Sequence, residues 1–172
     1  MASLMEELIG VLEQENEEYR KLLSLSLRKT SVIIGADLET LNSITDEEQV
    51  YVSALQKLDK KREECMRDIA NVINRDVSTI KLGDLIEMLS ARPKEQQKLA
   101  AIHDELSATV AQVKRANEQN RALIESSLEM VQFDMNVMQA MKAAPETANY
   151  TKNAYSSGTV IGTEMNRFDS KR

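Results

Sequence analysis

The side chains that most often do chemistry in proteins are scarce in this sequence. It contains a single His, His103, and a single Cys, Cys65. A zinc site needs several Cys or His ligands, and His103 has only Asp104 and Glu105 beside it, so we expect no metal site. A lone Cys forms no intramolecular disulfide, so nothing indicates an oxidising compartment. We therefore expect a protein that is not an enzyme and holds no cofactor.

Two short segments match part of a known functional motif but lack the surrounding features that the motif requires. Gly158–Gly162 reads Gly-Thr-Val-Ile-Gly, but a phosphate-binding loop also needs a Lys-Ser/Thr pair after it and a strand before it. Residues 149–151 match a glycosylation acceptor, which matters only in a secreted protein. Because Glu6 and Glu7 stand where a signal peptide carries positive charge, we expect no secretion.

Composition narrows the class of protein further. The 172 residues carry 22 Lys and Arg against 28 Asp and Glu, and the net charge of -6 disfavours binding to nucleic acid. Five Gly, two Pro, two Phe and no Trp are few for a protein built of sheets. No apolar run approaches the ~20 residues that cross a bilayer. We expect an all-α, soluble, cytoplasmic protein that inserts into no membrane.

Apolar residues recur at steps of three and four, the period of coiled-coil helices. The pattern predicts four helices, at 2–34, 37–74, 78–89 and 93–142. The first two would form a long antiparallel hairpin, which packs with the last as an elongated three-helix bundle. Gly35 interrupts the first helix, Asp37 is a predicted N-cap, and Pro93 starts the last helix. Residues 1–142 are thus predicted to form one helical domain, and residues 143–172, which contain no Leu, a mobile tail.

The register of the hairpin can be predicted, because facing residues of an antiparallel pair have a constant sum of residue numbers. A sum of 77 pairs apolar residues along the hairpin: Leu8 with Ile69, Leu12 with Cys65, Tyr19 with Leu58, Leu22 with Leu55, and Ile33 with Ile44. The same sum places Glu15 opposite Arg62 and Lys29 opposite Glu48. We expect these ion pairs to fix the register more than they stabilise the fold.

The carboxy-terminal half of the last predicted helix is apolar on more than one stripe. Its apolar residues are Leu123, Ile124, Leu128, Met130, Val131, Phe133, Met135, Val137, Met138 and Met141. One hairpin seam would not cover so wide a surface. Four of these residues are Met, which repacks around varied partners. Two interpretations follow: a groove for a partner helix, or a region covered by helix 78–89 and the hairpin.

Residues 120–138 resemble the long-helix signature of the FlgN family of flagellar export chaperones. In that signature an Asn, a Leu-Ile pair, a Leu-Glu pair and Val-Gln-Phe recur in this order, as they do here. Leu55–Arg62, reading Leu-Gln-Lys-Leu-Asp-Lys-Lys-Arg, is also similar to the family, as are Tyr150 and Arg167–Lys171 in the tail. The resemblance covers nearly the whole chain, and residues 74–95 match only in type.

This resemblance implies a cytosolic chaperone for the hook-filament junction proteins FlgK and FlgL. It would bind their C-terminal helical part, prevent premature assembly and deliver them to the flagellar type III export gate. The resemblance assigns client binding to five residues of the last helix: Ile124, Leu128, Val131, Met135 and Met138. The export-gate tyrosine is Tyr150 or Tyr155, because the family's following Gly corresponds to Ala154 in one case and Gly158 in the other. The competing interpretation is a structural or signalling coiled coil that self-associates through the same apolar face.

Overall fold

The computed structural model describes residues 2–143. Its α-helices are α1 (Ala2–Ile34), α2 (Leu38–Val72), α3 (Leu82–Met88) and α4 (Pro93–Ala143). Two short 3₁₀ helices, Val77–Thr79 and Leu89–Ala91, flank α3. These residues contain no strand, and the predicted all-α class is confirmed. By its internal contacts the chain divides into two units, Met1–Met130 and Val131–Arg172, and most of the predicted tail, with Tyr150 and Tyr155, lies outside the described residues.

The segment that joins the hairpin to α4 differs from the single helix expected over residues 78–89. A 3₁₀ helix comes first, and α3 begins only at Leu82. The Asp76 carboxylate accepts a hydrogen bond from the Ser78 N–H at 3.0 Å, and the Asp84 carboxylate accepts one from the Lys81 N–H at 2.8 Å. Each carboxylate satisfies a backbone donor at the start of its own turn, so the segment forms two short helices rather than one.

The turn between α1 and α2 is closed by backbone hydrogen bonds. The Asp37 N–H donates to the Val32 carbonyl at 3.2 Å and the Ala36 N–H donates to the Ile33 carbonyl at 3.1 Å, which is the Schellman pattern. The residue with left-handed backbone is Ala36, with φ of 52°, and not Gly35. The Asp37 side chain then caps α2, as predicted.

We expect Ala36→Gly to raise the free energy of unfolding by about 1 kcal/mol, because left-handed backbone strains Ala and not Gly. Asn74, with φ of 54°, ends α2 in the same way. Asn tolerates this conformation better than Ala, so Asn74→Gly should stabilise the protein less. Urea unfolding of both variants measures the difference. A loss of stability in Ala36→Gly would contradict the assignment of strain to this turn.

The hairpin of α1 and α2 has the register that the sum of 77 predicts. Lys29 Nζ lies 2.6 Å from Glu48 Oε2, and Arg62 Nε lies 3.6 Å from Glu15 Oε1. Most of the paired apolar residues are also buried: Leu8, Leu12, Leu22, Ile33, Ile44, Leu55, Cys65 and Ile69. The predicted ion pairs and the core of the hairpin are therefore confirmed together.

The main core lies where the start of α1, the end of α2, α3 and the first turns of α4 meet. Its buried members include Leu8, Leu12, Cys65, Ile69, Leu85, Leu89, Leu99 and Ile102. The short α3 is held here by Leu85, and Leu89 of the 3₁₀ helix that follows it belongs to the same core as Leu99 of α4. A smaller cluster of Leu22, Leu55 and Val113 continues the packing along the hairpin.

Within the first unit, α4 runs parallel to α1. Contacting residues of the two helices differ by 85 to 94: 85 for Arg20 with Glu105, 91 for Ser26 with Asn117, 90 for Thr30 with Asn120, and 94 for Ser26 with Asn120. At an offset of 90, Ile34 aligns with Ile124. Because α1 ends at Ile34, it has no further residue to pair with α4 beyond that point.

Candidate partner-binding surface on α4

The buried side chains of α4 follow one coiled-coil seam. They recur at steps of three and four residues: Leu99, Ile102, Leu106, Thr109, Val113, Ala116 and Asn120. This spacing holds a single stripe against a neighbouring helix pair. In the described part of α4 after Asn120, no side chain is buried. The seam that packs on the hairpin therefore ends at Asn120.

Asn120 ends this seam with a set of polar contacts to α1. Its Nδ2 donates to the Ser26 carbonyl at 2.8 Å, and its Oδ1 accepts from Thr30 Oγ1 at 2.6 Å. Ser26 Oγ donates to Asn117 Oδ1 at 3.0 Å. Both Ser26 and Asn120 are buried, so these bonds satisfy groups that would otherwise be costly to desolvate. The Asn that opens the recognised sequence signature thus fixes the position of α4 along α1.

Beyond Asn120 the apolar stripe of α4 changes register by one residue. The buried seam, continued at the same steps, would reach Leu123, Ser127, Met130 and Asp134. Three consecutive steps of four residues, from Ala116 to Leu128, lead instead to a stripe of Ile124, Leu128, Val131, Met135 and Met138. A shift of one residue in the heptad register rotates the apolar face around the helix. We call these five residues the free stripe; they have a coiled-coil period of their own.

The free stripe is the set of residues that the sequence assigned to client binding. Ile124 and Leu128 lie in the first unit. Ile124 is half-buried, and Leu128 is 64% exposed. In the second unit Val131, Met135 and Met138 are 55%, 50% and 62% exposed. Within the first unit, α3 and the hairpin therefore leave Leu128 uncovered, contrary to the interpretation that they cover this part of α4. Clustered exposed apolar side chains are typical of an interaction surface.

A second exposed apolar group occupies another side of the same helix. It consists of Met130, Phe133, Val137 and Met141. On one side of the helix, Asp134 lies between this group and the free stripe. On the opposite side, the two are separated by polar residues that include Glu125, Glu129 and Asn136. The width of the apolar surface and the steps of three and four residues in this second group are visible in the sequence, but neither predicts a role for the group.

Ile124 differs from the rest of the free stripe because it also borders the hairpin. It lines an open cleft of about 480 Å³ in the first unit, together with Leu22, Val52 and the Lys29–Glu48 ion pair. The cleft has apolar and charged walls close together. Ile124 is therefore at the point where the packed part of α4 gives way to its exposed part.

The charges of α4 around the free stripe are acidic. Between Arg121 and Lys142 the helix carries Glu125, Glu129 and Asp134 and no Lys or Arg. Arg121 Nε donates to Glu125 Oε1 at 2.9 Å. Within residues 2–143, Glu129 and Asp134 make no ion pair. A partner with basic side chains would complement this surface.

The other chemically notable side chains lie away from the free stripe. Burial raises the pKa of the Glu15 carboxyl, and the Arg62 guanidinium opposes that shift without cancelling it. Burial also raises the pKa of the Cys65 thiol, which lies in the main core. His103 Nδ1 is 3.0 Å from Asp104 Oδ1 at the surface. Among residues 2–143, no three His, Cys, Asp or Glu side chains are grouped to hold a metal ion.

None of the described helices is both long and apolar enough to span a membrane.

Comparison with known proteins adds one finding. A family model described as FlgN protein matches residues 1–157. The match includes all four helices, the free stripe, and both Tyr150 and Tyr155. No curated protein and no solved structure matches the chain.

Proposed function

Since this chain belongs to the FlgN family of flagellar export chaperones, we propose that its clients are the hook-filament junction proteins FlgK and FlgL. It binds their C-terminal helical part in the cytoplasm, prevents their premature assembly and delivers them to the flagellar type III export gate. The protein acts without catalysis and without a cofactor, by covering an amphipathic helix of the client until export.

The free stripe is the observation that supports client binding most directly. An amphipathic helix binds a groove or a facing helix through residues at steps of three and four, and the free stripe has these steps. Burial of one Val, Leu or Met side chain contributes about 1.5–3 kcal/mol, so each member of the free stripe that a client helix covers adds to the affinity. The Met residues allow the same surface to accept both FlgK and FlgL, because Met adapts its shape at little cost.

Self-association through the same stripe is the competing function, and the charges of α4 oppose its simplest form. In a parallel pair of two copies, Asp134 at the edge of the stripe would lie beside Asp134 of the second copy. Like charges at a helical interface are destabilising. A client with basic side chains meets no such repulsion.

The test of the proposed function is the mass of the protein in solution, with and without the C-terminal helical segment of FlgK. We expect a monomer that becomes a 1:1 complex when the segment is added. The contrary result is a stable dimer that does not bind the segment and that dissociates when Met135 is replaced by Glu. It would establish self-association as the function of the stripe.

Export-gate docking is proposed for Tyr150, with Tyr155 as the alternative. The sequence from 143 to 172 is polar but includes these two Tyr residues, Val160, Ile161 and Phe168. A Tyr ring combines apolar area with one hydrogen bond at low entropic cost, so a single Tyr can dominate a small interface.

We expect Tyr150→Ala to weaken docking of the chaperone–client complex to the cytosolic domain of the export gate by about tenfold, a typical loss for one interface Tyr. Client affinity should stay unchanged, because the free stripe is intact. A pull-down of the gate domain with client present measures the first quantity, and a calorimetric client titration measures the second. If Tyr155→Ala weakens docking instead, Tyr155 is the residue that contacts the export gate. If deletion of residues 143–172 weakens gate docking and client binding equally, the two functions are not separate.

A further inference from the structure

Asp134 is an acidic residue among the exposed apolar side chains of the second unit. Residues three and four positions away are neighbours on a helix surface. For Asp134 these neighbours include Val131, Val137 and Met138, which are 55%, 41% and 62% exposed. Asp134 therefore lies between the free stripe and the second apolar group, and a helix that covers either one closely also covers its carboxylate.

A covered Asp134 would need a new hydrogen-bond donor. A carboxylate only accepts hydrogen bonds, and a single methylene group joins it to the backbone, so it cannot reach past a bound helix to water as a Lys or Arg side chain does. A charge that loses water without gaining a partner opposes binding strongly.

Among residues 2–143, no free cation lies near Asp134 along α4. Arg121 is bonded to Glu125, and Lys142 is eight residues away, which is about 12 Å along a helix axis. No other Lys or Arg occurs between them. The described part of α4 therefore offers the Asp134 carboxylate no cationic donor, whereas a bound helix can supply one.

We propose that Asp134 determines specificity: the helix that binds the free stripe carries a Lys or Arg that pairs with the Asp134 carboxylate. This inference rests on the proposed function, because it assumes a client helix on this surface. Opposite charges are favoured as the contact because a carboxylate bonds most strongly to a cationic donor. The pair sets the register of the client helix and rejects apolar helices that lack the cation, since those would leave the carboxylate desolvated.

Glu129 provides a matched control for Asp134. It is also acidic, exposed and without an ion pair in the described residues, and it lies on the same helix. Its neighbours at three and four positions, however, are mostly polar: Glu125, Ser126 and Gln132. A partner on the free stripe leaves Glu129 in water.

The experiment compares calorimetric titrations of the full chain with the C-terminal helical segment of FlgK. We expect Asp134→Asn and Asp134→Leu each to weaken binding about 30-fold or more, whereas Glu129→Gln changes it less than threefold. Each Lys and Arg of the segment is then replaced by Gln in turn. One replacement should weaken binding to the unaltered chain as much as Asp134→Asn does, and add little to it in combination.

The outcomes separate this inference from the function on which it rests. If the unaltered chain binds the segment and Asp134→Leu binds it equally or more tightly, the proposed pairing is overturned and the client function stands. If the unaltered chain does not bind the segment, the proposed function fails and this inference fails with it. Circular dichroism of each variant checks that helicity is unchanged, as expected for exposed positions.

Discussion

Met135→Glu is expected to lower affinity for the C-terminal helical segment of FlgK at least about 100-fold, because a bound helix would enclose the new carboxylate without a partner. Met135 is half exposed in the free protein, so the same change should alter the free energy of unfolding by no more than about 0.5 kcal/mol. Calorimetric titration measures the affinity, and thermal unfolding followed by circular dichroism measures the stability.

Two further variants make this prediction specific to the free stripe. Leu128→Glu changes another member of the stripe and should lose affinity to a similar extent. Asn136→Glu introduces the same charge one residue after Met135, on the polar side of the helix, and should bind within about threefold of the unaltered chain. Normal binding by Met135→Glu and Leu128→Glu would exclude the stripe as the client site, and unfolding of both would assign these residues to a core.

Arg62→Glu should destabilise the hairpin by about 2–3 kcal/mol, because it removes the cation beside a buried carboxylate and adds a like charge. Glu15 is 3% exposed, and Arg62 contacts both Glu15 and Asp59. The figure is below that for a fully buried pair because a third of the Arg62 side chain is exposed. Adding Glu15→Lys should restore part of the loss, since opposite charges then face each other again.

Urea unfolding of the two single variants and the double variant measures this coupling. Additive effects would contradict the direct pairing of these positions. The reciprocal exchange at the second ion pair, Lys29→Glu with Glu48→Lys, serves as an independent control because its geometry follows the same sum of residue numbers.

The loss of stability caused by Arg62→Glu should depend on pH. The pKa of Glu15 is raised in the folded protein, so the folded state binds more protons than the unfolded state between the two pKa values, and stability falls as pH rises through that range. Above the pKa of Glu15 in the folded protein, the loss of stability caused by burying its charge is complete. Below the ordinary value of 4.5 this loss is absent. Loss of Arg62 removes the interaction that opposes the shift. The difference between variant and unaltered chain should therefore be larger at pH 7 than at pH 4.

The hairpin was predictable because its pairing depends on residue pairs at a fixed sum. Glu15 with Arg62 and Lys29 with Glu48 satisfy that sum, and a slip by one residue to a larger sum would place Glu63 opposite Glu15 and Gln49 opposite Lys29 instead. The start of α2 was predictable for a local reason, since Asp37 supplies the oxygen that a helix N-terminus needs. Neither inference requires knowledge of any third element.

The conformations of the turns could not be predicted fully from the sequence. Gly35 marks the end of α1, yet Ala36 takes the left-handed conformation, because the hydrogen bonds to the Val32 and Ile33 carbonyls decide which residue follows the helix. Asp76 and Asp84 each start a turn in a segment whose apolar residues alone predict one continuous helix.

The sequence by itself determined the three long helices, the register of the hairpin and the presence of a wide apolar surface on α4. Only the tertiary structure decided which part of that surface is core and which is free. Both parts have steps of three and four residues, so their periodicity does not distinguish them. The distinction depends on the offset of α4 along α1, which Asn120 sets through its buried hydrogen bonds to Ser26 and Thr30. With that offset α1 ends opposite Ile124, and the apolar side chains of α4 from Leu128 to Met141 are exposed in the described structure.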